Sequence, residues 1–189
     1  SRMVSHDFAE ALLSGLQHDI TAKYGKWSRR YLWDRNYSET RKPEMPSAII
    51  ETMSHQNFGD MRYGLDPNFR FTMARSLYKT ILRYVSKGHE RPFVVQPLPV
   101  NNLRVERTDN HMLRLTWLPV KDEQEPTAVP TAYNIYISEN GGGFDNGRIV
   151  QGTSFVFEAR RGVVYKFRVT AVNRGGESFP SETLAAYLS

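Results

Sequence analysis

Tyr165-Lys166-Phe167-Arg168-Val169-Thr170-Ala171-Val172-Asn173 decides the fold of the C-terminal half. Its apolar residues recur at nearly every second position, which is the period of an extended strand with one buried face. The same period runs outward from it. Leu103-Arg104-Val105, Met112 to Trp117, Tyr133 to Ile137, Phe155 to Phe157 and Val163 to Val169 all alternate or nearly so. Turn formers separate them at Thr108-Asp109-Asn110, Asn140-Gly141-Gly142-Gly143 and Arg160-Arg161-Gly162. The segment from Phe93 onward therefore reads as all-β. Phe93-Val94-Val95-Gln96-Pro97-Leu98-Pro99, with two prolines, reads as an extended join leading into it.

Roughly seven short strands in about 95 residues is the pattern of an immunoglobulin-like sandwich. Several spaced residues sharpen this. Leu115-Thr116-Trp117 with a proline after it, then Tyr133-Asn134-Ile135-Tyr136, resembles strands B and C of a fibronectin type III domain. Tyr165 to Asn173, then Gly175, Gly176 and Pro180-Ser181-Glu182, resembles strand F, its tyrosine corner and the F–G region. The resemblance implies a binding or spacer module with no catalytic machinery over 93–189. Trp117 would then fill the space between the sheets, and the Tyr165 hydroxyl would bond a backbone group. The acidic stretch from Val120 to Pro130 departs from that pattern and could be a contact loop or a solvated one, the solvated reading being favoured because such variation accumulates in loops.

Before Phe93 the apolar period is helical. Ala9, Leu13, Leu16 and Ile20 mark a helix from Ser5 to about Ala22, with Ser5 as its N-cap and Gly25 as its stop. Phe69, Met73, Leu77, Ile81 and Tyr84 mark a second, capped by Asp66-Pro67 and closed by Gly88, with these residues on its apolar face. Pro46-Ser47-Ala48-Ile49-Ile50-Glu51 reads as a short, mostly apolar strand, and Trp27 to Trp33 as another. The chain is thus expected to be α+β in two parts, a partial α/β segment over 1–92 and the sandwich over 93–189.

The net charge of +5 lies wholly before Phe93, where 15 Lys/Arg face 10 Asp/Glu. The basic residues are scattered along helices, so solvated helix faces explain them and no nucleic acid partner is expected. No apolar run approaches the ~20 residues of a membrane span. Ser1-Arg2-Met3-Val4-Ser5-His6 lacks the apolar core of a signal peptide. With no cysteine, disulfides, thiolate ligands and a cysteine nucleophile are excluded.

The order strand, glutamate, loop, capped helix carries a second resemblance. Pro46 to Thr52, Asn57, and Asp66-Pro67 entering a helix resemble the closing part of zinc-dependent N-acetylmuramoyl-L-alanine amidases. The run from Ser54 to Pro67 and the passage through Gln96-Pro97-Leu98-Pro99 look like a bacterial secreted group of that fold often labelled xanthan lyases. That resemblance implies a catalytic role for Glu51, which would carry a proton between a metal-bound water and the leaving amine. It makes His55, Gln56 and Asn57 candidates for lining a substrate cleft. It also implies zinc in a longer parent, an extracytoplasmic location (periplasmic, cell surface or secreted), and cell-wall or glycan-peptide material as substrate.

The match is incomplete, because that family takes its zinc ligands from segments before the first helix. A catalytic zinc needs about three protein ligands, and His6, His18 and His55 are isolated. No metal site is expected in these residues, and the fragment reads as inactive. Arg30, Trp33, Arg35, Tyr37 and Arg41 form a mixed aromatic and basic stretch that could bind sugar rings or anionic polymers, or equally stack within the protein surface. Arg30, Trp33 and Tyr37 are counted as substrate-binding candidates on that ground, with peptidoglycan or another polysaccharide as the partner. The alternative is a non-catalytic adhesion or scaffold protein. A half-sheet with an unpaired edge and uncovered helix faces predicts either packing of the helices on the sandwich or a homodimer through the N-terminal segment.

Overall fold

The computed structural model describes residues 2–109 and 111–188, so Asn110, read above as part of a turn, lies outside the described residues. The chain divides between Phe93 and Val94 into two compact units.

In the first unit, α1 (Arg2–Tyr24) and α4 (Pro67–Gly88) form a helix pair, with α2 (Ser38–Arg41) and α3 (Phe58–Gly64) short helices in the connection. α1 starts earlier than its sequence signals indicate. Ser5 lies inside the helix rather than capping it, and its Oγ accepts from the Ser47 N–H at 3.4 Å. Gly25 follows the last turn with φ +85°, a left-handed stop that costs glycine little. Asp66 caps α4 by accepting from the Asn68 N–H at 2.9 Å, with Pro67 in the first turn.

Gly88 is not where α4 turns. His89 is the C-cap and Glu90 takes the left-handed position at φ +51°, while the Arg91 and Glu90 N–H groups donate to Ser86 and Lys87 carbonyls. That is a Schellman closure with a glutamate where glycine is favoured. Glu90→Gly is expected to stabilise the helical unit by about 0.5–1 kcal/mol, read as a higher melting midpoint by far-UV circular dichroism.

The two long helices meet through a polar seam, not the apolar stripe. Leu12, Leu16, Ile20 and Phe69 are buried, but so are Thr72, Ser76, Lys79 and Thr80 of α4 and Asp19 of α1. Lys79 Nζ donates to Asp19 at 2.8 Å with both side chains out of water, and Lys23 donates to Thr72 Oγ1 at 2.8 Å. At Gly15 the helices approach so closely that a Cβ would lie 2.1 Å from Thr80 Oγ1. Of the predicted apolar face only Phe69 is buried; Met73, Leu77 and Tyr84 are half-buried and Ile81 is exposed.

The strands expected at 46–51 and 27–33 do not form, and the described part of this unit is helices and extended loops. A strand needs a hydrogen-bonded neighbour. Here the Ser47 N–H bonds the Ser5 hydroxyl, the Ser47 hydroxyl bonds the Thr40 carbonyl, and Ile50 with Met53 packs on the helix pair. The apolar run is explained by that docking, not by a sheet.

The second unit carries β1 (Asn101–Arg107), β2 (Met112–Leu118), β3 (Ala132–Glu139), β4 (Arg148–Val150), β5 (Ser154–Glu158), β6 (Val164–Asn173), β7 (Gly176–Glu177) and β8 (Leu184–Tyr187). One sheet orders β1-β2-β5. The other orders β4-β3-β6, with β7 and β8 pairing different ends of β6. All strand pairs are antiparallel, so two stacked sheets make the sandwich. The inward residues fall on alternate positions: Leu113, Leu115 and Trp117 of β2, Ile135 and Ile137 of β3, Tyr165, Phe167 and Val169 of β6. Trp117 is almost wholly buried and meets Tyr133 edge-on at 5.3 Å. The Tyr165 hydroxyl accepts from the Arg160 N–H at 3.1 Å, closing the corner.

The join and the acidic loop both depart from their sequence reading. Val95 and Pro97 are fully buried, so Val94 to Pro97 is a strap belonging to the sandwich. Asn173 Nδ2 reaches the carbonyls of Val95, Thr127 and Val129 at 2.9, 3.2 and 3.3 Å, and its Oδ1 accepts from the Gly175 N–H. A Cβ on Gly175 would sit 2.4 Å from the Val94 carbonyl oxygen. Glu125 and Ala128 are buried, and Thr127 bonds both Glu125 and Val95. The 120–130 loop is therefore pinned to the strap through Glu125, Thr127 and Ala128, while Lys121, Glu123 and Val129 stay in water.

Candidate functional site

Residues 26–37 form no helix or strand of their own. Tyr31 and Trp33 stack at 5.5 Å with their planes 11° apart, and the Arg35 guanidinium lies 4.8 Å over Trp33. These groups face water: Tyr31 is 72% exposed, Trp33 56% and Tyr37 52%. Arg30 and Arg35 are exposed as well, whereas Arg29 is held by Glu10 at 2.6 Å. A planar, cation-flanked aromatic step of this kind can take the apolar face of a sugar ring while its guanidinium groups pair with an anion. Of the three substrate-binding candidates here, Trp33 is in the stack, while Arg30 and Tyr37 stand beside it in sequence. Tyr31 and Arg35 complete the stack, and their i, i+2 spacing from Trp33 was the signal for them.

Glu51 is exposed in the extended segment after Ile50. His55 and Gln56 lie in the following turn, also exposed, and the Gln56 N–H bonds Ser54 Oγ at 3.4 Å. Asn57 has a structural task, because its Oδ1 accepts from the Asp60 N–H and caps α3. The Asp60 carboxylate in turn accepts from the Ser54 N–H at 2.9 Å. Among the described residues no group of three or more His, Asp or Glu is arranged to hold a metal ion, so the donor set does not fit a zinc centre. Among them, too, no helix is long and apolar enough to cross a membrane.

The outer face of the β3–β6 sheet carries a cluster that sequence reading missed. The Arg168 guanidinium is sandwiched near Phe144 and Tyr136, at 4.0 and 5.2 Å from their centroids. Tyr136 Oη donates to Glu177 at 2.6 Å and accepts from Asn134 Nδ2 at 2.9 Å. That bond to Glu177, with burial, raises the Tyr136 pKa and keeps the phenol protonated. Phe144, Asp145 and Arg148 also line an open hollow beside Ile137 and Glu139. The outward members of the alternation, Tyr136 and Arg168, were the available signal.

Residues 98–187 match the model of the fibronectin type III domain. No curated protein matches this chain. Among solved structures, the twitchin kinase region from C. elegans is 26% identical over 49% of this chain and 17% of that one, with a TM-score of 0.43. A solution structure of a human fourth FNIII domain is 24% identical over 49% of this chain and 78% of that one, at 0.42. Titin domains A168–A170 are 22% identical over 49% and 32%, at 0.43.

Proposed function

We propose, from a fibronectin type III domain at residues 98–187 as the starting fact, that this domain serves as the binding or spacer module of a longer extracytoplasmic bacterial hydrolase. In this reading residues 1–92 are the closing part of its amidase-like domain, which acts on cell-wall or glycan-peptide material. The observation that carries it is the order of features after Pro46. An extended apolar segment with no sheet partner ends at Glu51, an asparagine-capped turn follows, and Asp66-Pro67 opens a 22-residue helix. Zinc ligands, in this reading, come from preceding segments, and the residues described here hold none. Glu51 is the carboxylate that would move a proton.

The test is a protein extended upstream through its natural coding sequence. It should release peptide from purified peptidoglycan, and Glu51→Gln should slow it by roughly 10²–10⁴-fold. If the preceding ~200 residues bring no pair of histidines, or if Glu51→Gln leaves the rate unchanged, the reading fails.

The exposed Tyr31–Trp33–Arg35 stack supports a second reading, a non-catalytic adhesion or scaffold protein that holds a polysaccharide. The present chain should then sediment with insoluble peptidoglycan without degrading it, and a Tyr31→Ala, Trp33→Ala double variant should stay in the supernatant. Equal retention of both proteins would remove the stack from consideration.

A further inference from the structure

Asn140-Gly141 and Asn146-Gly147 are the two Asn-Gly pairs of the sequence, and both lie in the connection between β3 and β4. An asparagine before glycine carries a slow reaction of its own. The glycine nitrogen, with no side chain on its Cα to shield it, can attack the carboxamide carbon and close a five-membered ring.

The fold treats the two pairs differently. Asn140 sits in the left-handed region at φ +48° and is fastened twice to Val164. Its N–H donates to the Val164 carbonyl at 2.8 Å, and its Oδ1 accepts from the Val164 N–H at 3.0 Å. To turn its carboxamide carbon onto the Gly141 nitrogen, Asn140 must give up the second bond. Asn146 is exposed, and its carboxamide makes no such bond among the described residues. The Gly147 N–H faces a base instead, donating to Asp145 Oδ1 at 3.1 Å. That carboxylate is held by the Ile137 N–H at 3.0 Å and by Arg148 at 3.9 Å. The proton that the Gly147 nitrogen must lose therefore has an acceptor already within reach.

We infer that Asn146 is a self-modification site, which the chain converts to aspartate and isoaspartate without an enzyme, and that Asn140 is protected from the same reaction. The Gly147 nitrogen bonds the Asn146 carboxamide carbon as its proton passes to the Asp145 carboxylate. Asp145 then hands that proton to the departing amide nitrogen, the carbon–nitrogen bond breaks, and ammonia leaves a succinimide. Water opens the ring at either carbonyl, giving aspartate by one route and isoaspartate by the other. Both products add a carboxylate next to Asp145, beside the open hollow that Asp145 and Arg148 line. Isoaspartate also lengthens the backbone by one carbon just before Gly147. The chain is already so close there that a Cβ on Gly147 would lie 2.3 Å from Asn134 Oδ1. Asn134 Nδ2 donates to Tyr136 Oη, so the displacement reaches the Tyr136–Arg168 cluster.

The full chain is aged at mildly alkaline pH, digested, and sequenced by tandem mass spectrometry, which reads the amide-to-acid mass change at each asparagine. In strong denaturant the two asparagines should convert at similar rates. In the folded chain Asn146 should convert at least about tenfold faster than Asn140. Asp145→Asn keeps an oxygen for the Ile137 and Gly147 N–H groups but is no base. It should slow conversion at Asn146 by at least about tenfold, with the circular dichroism spectrum unchanged. The inference is overturned if the ratio of the two rates is the same in the folded and denatured chain, or if Asn146 stays unconverted in the folded one. It is also overturned if Asp145→Asn leaves the rate at Asn146 unchanged or raises it.

Discussion

Replacing Lys79 by methionine is expected to destabilise the helical unit by about 3–5 kcal/mol, because it strands the buried Asp19 carboxylate without its cation. The pair is nearly dry on both sides, so the lost partner cannot be replaced by bulk water. A cost of that size is a large part of the roughly 0.05–0.15 kcal/mol per residue that holds a domain together. Far-UV circular dichroism of the full chain reads the effect, since helix belongs to this unit and strand to the other. The double replacement Asp19→Leu, Lys79→Met removes both charges and should recover most of the loss, as apolar residues of similar volume commonly substitute for a buried pair. If Lys79→Met alone melts within about 1 kcal/mol of the parent, an ordinary surface effect, the seam is wetter than described.

The same pair sets a pH dependence. Burial by itself would raise the Asp19 pKa, but hydrogen bonds with Lys79 and His18 and the Lys79 charge hold it below the usual carboxylate range. A carboxylate whose folded pKa is depressed contributes stability above its unfolded value of about 3.9, and that contribution fades as pH falls through the folded value. The helical unit should therefore lose stability from about pH 4 downward. In the Asp19→Leu, Lys79→Met protein that part of the acid sensitivity should vanish.

Trp117→Ala should cost the sandwich about 3–5 kcal/mol, the range for emptying a large buried aromatic. Trp117 is nearly inaccessible and stands between the sheets against Tyr133. Trp117→Phe should cost far less, about 1–2 kcal/mol. The indole Nε1 has no hydrogen-bond partner among the described residues, so only volume is lost. Near-UV circular dichroism and denaturant midpoints separate the two. A phenylalanine variant as weak as the alanine one would mean that the indole N–H matters after all.

The sandwich was legible in the sequence because one rule governs it. A strand with one buried face alternates, and Leu113, Leu115, Trp117, Phe167 and Val169 all obey. Asp66 was legible for a similar reason, since its cap is made within two residues of itself. The misreadings share a different cause, which is tertiary contact between distant residues. Ile50 is apolar because it packs on the helix pair, and a short apolar run cannot tell docking from sheet. The polar side of α4 is buried because Asp19, Gly15 and Lys23 on α1 accommodate Lys79, Thr80 and Thr72. The acidic loop is pinned by Asn173, more than forty residues away, and Glu125 gave no local sign of it. For the candidate site, residue types and spacing exposed the aromatic step. Glu51 has only its place in the order of elements to mark it.

The strap at Val94 to Pro97 gives the chain a mechanical property. Tension applied between the two units enters the sandwich at Val94, and there it meets the clasp made by Asn173 at the end of β6 before it reaches β1. The load falls on the Asn173 bond to the Val95 carbonyl, on the Val95 N–H bond to Thr127 Oγ1 and on backbone wedged against Gly175. Resistance to a pull depends on the rate at which such a fastening opens, not on the overall stability of the fold. The clasp is thus a tether point, and a sandwich trimmed to begin at Leu98 would have no anchor of this kind.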